Sequence, residues 1–197
     1  MRALFMAMVI CLSCGCVGKV PYIDLRHPIY MVTDKSFWAG CEEDPAGYES
    51  CRNDRITKIR VGANQWFNYF DSAARPRVVI VHAKEELPPH RVNKVIYLKI
   101  DKDLCGMATR TIIAAACYDW WDSSALKIVF RDESFIISRL AAHELGHALG
   151  RDDNDVPIGT GSVMSYTNPT KVLLSDIKMM CRLHRECRMV KRKMKKN

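Results

Sequence analysis

The sequence lacks histidine between His147 and His184, and that absence leaves its strongest motif one ligand short. It lacks an apolar run long enough to cross a bilayer; the N-terminal stretch, residues 3–12, is about half the length a spanning helix needs. No internal repeat, low-complexity tract or Gly/Ser- or Pro-rich linker occurs, so nothing points to a solenoid or to a string of modules. No C-x-x-C pair occurs among the cysteines from Cys41 onward, which argues against a thiolate zinc cluster.

What is present fits one compact domain with short extensions. The chain has 197 residues, 48% hydrophobic and 26% charged, an ordinary globular balance that can bury a core. Residues 1–18 carry one positive charge at Arg2, then the apolar stretch, then small residues at Ser13, Gly15 and Gly18. This pattern reads as a secretory signal peptide. Cys14 and Cys16 would also suit a lipoprotein leader, although Leu12 stands one residue further from Cys16 than such leaders place it. The remaining six cysteines are Cys41, Cys51, Cys105, Cys117, Cys181 and Cys187, an even set that in an exported chain reads as disulfides. Proximity favours the pairs Cys41–Cys51, Cys105–Cys117 and Cys181–Cys187.

The formal net charge of +8 misdescribes the domain, because residues 188–197 contribute six positive charges and no acid, leaving about +2 for the rest. Such a basic tail reads as a solvated, disordered end that could approach anionic lipid or cell-wall polymer. The expected organisation is therefore a leader (1–18), a domain (19–187) and a tail (188–197), located outside the cell or in its envelope, with no nucleic-acid partner.

Along the chain, residues 27–34, 77–83, 94–101 and 125–132 read as strands from their β-branched and aromatic content. Residues 106–111 and 114–120 are weaker strand candidates. Helical spacing places Ile56, Ile59, Ala63, Trp66, Phe67 and Phe70 on one face, with Asp54 as a cap, and residues 41–51 read as a turn-rich loop closed by a disulfide. A second helix is expected from Asp132 or Ser134 to Gly150, and a third within residues 171–187. This order predicts an α+β fold with one mixed sheet.

The second helix carries the chemistry. His143 and His147 are four apart, so both imidazoles leave the same helix face one turn apart and can share one ion. Glu144, beside the first, is angled to miss the ion but to reach a water on it, which suits a general base. Gly150 can take a positive φ, end the helix and turn the chain back toward the metal. Asp153 is then placed to supply the third ligand through a carboxylate oxygen, with Asp152 and Asp155 as rivals. Two neutral imidazoles and one carboxylate would leave a zinc ion one positive charge and an open coordination position.

The pattern H-E-x-x-H-x-x-G-x-x-D over residues 143–153, followed by "GSVMSY", resembles the zinc motif and Met-turn of the metzincin metallopeptidases. Asp153 stands where most of that family has histidine, a variation that resembles the small snapalysin group. The likeness is specific over residues 143–166 and loose elsewhere, although "LLSDIKMMCRLH" is similar to the closing helix of matrixin-like members. Neither a cysteine-switch propeptide nor a structural-zinc loop is recognisable; His27, His82, His90 and His184 read as surface or packing residues.

The resemblance implies a single domain with a twisted mixed sheet, an early helix, a zinc-site helix, a Met-turn at Met164 and a C-terminal helix. It further implies one catalytic Zn2+ on His143, His147 and Asp153, Tyr166 stabilising an oxyanion, and an edge strand before the zinc helix that pairs with extended substrate. The implied activity is that of a monomeric metalloendopeptidase acting on protein or peptide substrates. A zinc hydrolase of another envelope substrate and a non-catalytic surface-binding module are the alternatives.

Overall fold

The computed structural model describes residues 23–102, 126–151, 160–165 and 170–184, and the backbone of 116–119. The leader, the basic tail, the 106–111 strand candidate, Cys105, Cys187, Asp152, Asp153, Asp155 and Tyr166 lie outside the described residues. Among the described residues five strands form one mixed sheet: β1 (Ile29–Thr33), β2 (Val78–Val81), β3 (Ile96–Ile100), β4 (Ala116–Asp119) and β5 (Leu126–Phe130), in the order β2-β1-β3-β5-β4. β2, β1, β3 and β5 run parallel, and β4 pairs antiparallel with β5. The α-helices among the described residues are α1 (Tyr48–Phe67), α2 (Ser138–Ala148) and α3 (Leu174–Leu183). The α+β class with a mixed sheet is as the sequence implies. Of the two weak strand candidates, residues 114–120 supply β4.

Strand alternation sorts the core into two layers. Ile29, Met31, Ile96, Leu98, Leu126, Ile128 and Phe130 face the helices and join Trp66, Phe67, Leu145, Ile177 and Met180 in one buried cluster. The opposite face carries a smaller group of Val32, Val81, Val95 and Leu87, flanked by Tyr30, Val79 and Tyr97.

Two helix starts differ from the expected ones. α1 begins at Tyr48 after an N-cap at Gly47, so Asp54 lies inside the helix and pairs with Lys58 at 2.6 Å. Its apolar face includes the expected Ile59, Ala63, Trp66 and Phe67, together with a buried cation, Arg55. The Arg55 guanidinium donates to the carbonyls of Phe37 (2.6 Å) and Ala39 (2.9 Å), which anchors the 3-10 turn at Lys35–Trp38 to the helix. Burial pulls its pKa below the ordinary value, opposed by Glu133, Asp44 and Asp54 nearby. The Cys41–Cys51 disulfide forms as expected and ties this region to the first turn of α1. Cys181 is also disulfide-bonded.

α2 begins at Ser138 rather than at Asp132 or Ser134. Asp132 does cap, accepting from Ser134 N at 2.9 Å, but what it caps is a short 3-10 turn, Glu133–Phe135. The backbone then passes through an extended Ile137 before the helix proper.

The entry to β1 is held by polar groups. Asn93 Nδ2 donates to the carbonyls of Asp24 (2.9 Å), His27 (3.2 Å) and Pro28 (3.1 Å). The Arg26 guanidinium hydrogen-bonds the Asp24 carboxylate and lowers its pKa to about 2 from 3.8. A carboxylate whose pKa falls on folding stabilises the fold above its unfolded pKa, and that contribution is lost as pH drops through the folded value. Because the Arg26 side chain is 69% exposed, solvent screening holds the effect to about 1 kcal/mol. Asp24→Asn should therefore unfold at lower urea than the parent at pH 6, and the two midpoints should converge near pH 2.

Candidate metal centre

α2 is positioned by α1. Gly62 on α1 lies so close to α2 that a Cβ there would come within 2.6 Å of the Ser138 carbonyl and 2.9 Å of Ala141 Cβ. One turn on, the buried Trp66 donates its indole N–H to the Ala142 carbonyl at 2.7 Å. This fixes the rotation and the height of the histidine helix on the sheet.

α2 ends in a Schellman turn. Gly150 has φ 82°, its N–H donates to the His147 carbonyl at 2.9 Å, and Arg151 N–H reaches back to the Gly146 carbonyl at 2.9 Å. The expected role of Gly150 as the turning residue is what the backbone shows. After the turn the chain runs beside the second imidazole, since the Arg151 carbonyl accepts from His147 Nδ1 at 2.9 Å.

His143, Glu144 and His147 come together. Among the described residues they form a group whose ligand atoms all lie within 4.8 Å of one another. His143 and Glu144 are buried and His147 is half-buried. His143 Nδ1 donates to the Val163 carbonyl at 2.7 Å. A carbonyl can only accept, so both Nδ1 atoms carry their protons, and in its neutral form each ring presents a lone pair at Nε2. The two Nε2 atoms face each other at 3.2 Å. With both rings neutral neither nitrogen donates to the other, and a cation between them would satisfy both lone pairs. An ion about 2.05 Å from each nitrogen would see them at about 100°, close to a tetrahedral angle. The donor set therefore fits zinc. Glu144 Oε1 is 4.0 Å from His143 Nε2, beside the position such an ion would take.

No protein-family model and no curated protein matches the chain.

Met164 is fully buried beneath the helix, against Gly146, the residue just before His147. Sequence reasoning singled out Met164 but passed over Gly146. The signal was available: glycine inside a helix costs about 1 kcal/mol relative to alanine and calls for a packing reason. Of the other histidines, His184 is the buried one, its Nε2 3.1 Å from the Leu149 carbonyl, while His27, His82 and His90 are exposed. These places agree with the surface-or-packing reading. Arg151 and Asp176, both buried, were missed; as charged residues they carry no mark of burial in sequence.

Proposed function

We propose that the protein is a zinc-dependent endopeptidase of metzincin type, with His143, His147 and Asp153 as ligands and Glu144 as general base. The observation that carries the reading is the pair of Nε2 atoms opposed at 3.2 Å with both Nδ1 protons committed to carbonyls. Partnering each ring's far nitrogen with a backbone carbonyl is how metal-binding histidines are held in the ligating tautomer.

When bound, zinc supplies an acidified water and polarises the scissile carbonyl. Glu144 takes the proton from the attacking water and returns it to the departing amine. Tyr166 donates to the developing oxyanion. Among the described residues β4 has a sheet neighbour, β5, on one side, so its other edge suits an extended substrate strand. Secretion or attachment to the envelope is part of the same reading. No helix of the described residues is long and apolar enough to cross a membrane.

The test pairs zinc content with cleavage of a diverse peptide library, for the chain and for Asp153→Ala. The parent should hold one zinc and cleave, and the variant should lose both. Tight zinc binding by Asp153→Ala would move the third ligand elsewhere. Zinc without cleavage in the parent would transfer the site to another hydrolase or to a binding module.

A further inference from the structure

One buried carboxylate outside the ligand group reaches both halves of the metal centre. Asp176, on the first turn of α3, is fully buried and accepts from Ser162 Oγ at 2.8 and 2.9 Å and from Leu173 N at 2.8 Å. Its Oδ1 lies 3.9 Å from Nη2 of the buried Arg151. The contacts with Ser162 and Arg151 each lead to an imidazole. Ser162 Oγ accepts from Met164 N at 3.0 Å, and between those two residues the Val163 carbonyl receives the His143 Nδ1 proton. Arg151, whose guanidinium ion-pairs with Asp176 at 3.9 Å, presents the carbonyl that receives the His147 Nδ1 proton.

We infer that Asp176 is the positioning residue common to both histidines, setting through Ser162 and Arg151 the two carbonyls that orient the rings and hold their Nε2 atoms toward one ion. This rests on the metal-site reading above. The alternative role is purely structural, since the same carboxylate also caps α3 at Leu173. The two roles differ in what they predict for the folded protein. A structural cap changes the melting temperature and leaves the imidazoles alone. A positioning residue changes the rings and the metal affinity in protein that is still folded. The two arms also separate: loss of the Ser162 hydroxyl should disturb His143, loss of the Arg151 side chain should disturb His147, and loss of the Asp176 charge should disturb both.

The experiment uses the full chain as parent, Asp176→Asn, Ser162→Ala and Arg151→Met, each checked for folding by circular dichroism well below its melting point. Histidine 15N spectra of the metal-free proteins report tautomer and ring hydrogen bonding, and competition with a chromophoric chelator gives the zinc dissociation constant. Asp176→Asn should weaken zinc binding by about 10-fold or more, the range of changes behind a metal ligand, and shift both imidazoles. Ser162→Ala should shift His143 alone and Arg151→Met His147 alone. If Asp176→Asn does not fold, the two single-arm variants decide the matter. Folded variants whose imidazole signals and zinc constants match the parent's would overturn the inference. A parent that binds no zinc would instead overturn the metal reading, and the metal-free spectra would still decide whether Asp176 orients the rings.

Discussion

Glu144→Gln should keep its zinc and lose peptide hydrolysis by about 10²–10⁴-fold, the usual contribution of a positioned acid–base group. The side chain is 3% exposed and sits next to His143, so an amide of the same shape can occupy its place without opening a cavity. What the amide lacks is the ability to take a proton. The variant is thus a chemical deletion at constant geometry, and the loss, about 3–5 kcal/mol of barrier, should fall on kcat more than on KM. Activity within about tenfold of the parent at full zinc occupancy would place the base on another residue.

Gly146→Ala should destabilise the fold although alanine is the better helix former. Propensity alone favours the substitution by about 1 kcal/mol. Against this, a Cβ at 146 would meet Met164 Sδ at 2.3 Å and Trp66 Cζ2 at 2.7 Å. Trp66 cannot retreat, because it is buried and its N–H is bonded to the Ala142 carbonyl. The Met164 side chain would have to move, and being fully buried it has packed neighbours to move against. Overpacking of this kind costs about 1–3 kcal/mol, so the steric term decides the sign, and Gly146→Val should cost more. Met164→Ala makes room at the same place. The double variant Gly146→Ala/Met164→Ala should therefore be more stable than the two single losses add up to, by about 1 kcal/mol or more. Urea denaturation of the four proteins completes the cycle; strict additivity would show that position 146 does not press on the methionine.

The strands were legible to within about two residues because their β-branched content and alternation are local properties. The helix ends were less so. α1 starts at Gly47, φ 89°, with no side-chain cap to announce it, and Asp54 looked like a cap because acids often are. Asp132 and Ser134 were the expected starts of α2, but Asp132 caps a 3-10 turn, and the periodicity of Phe135 and Ile136 hid the break before Ser138. At the candidate site, His143, Glu144, His147, Gly150 and Met164 were legible as a spaced motif. The buried Arg151–Asp176 contact was not, since its partners are 25 positions apart in the sequence and each alone resembles a surface charge.

The hydrogen bonds that seat the helices join residues far apart along the chain. Trp66 to Ala142 spans 76 positions, Tyr69 to Val172 spans 103, and Gln65 to Val172 spans 107. Contacts of such separation close large loops before they return any stability, which slows folding. They also set an order for a chain made from its N-terminus. When His147 leaves the ribosome, neither the Val163 carbonyl for its partner His143 nor the Asp176 carboxylate has yet emerged with it. The paired imidazoles therefore gain their surroundings late in folding, and a nascent chain ending before α3 carries the histidines without the Asp176 carboxylate.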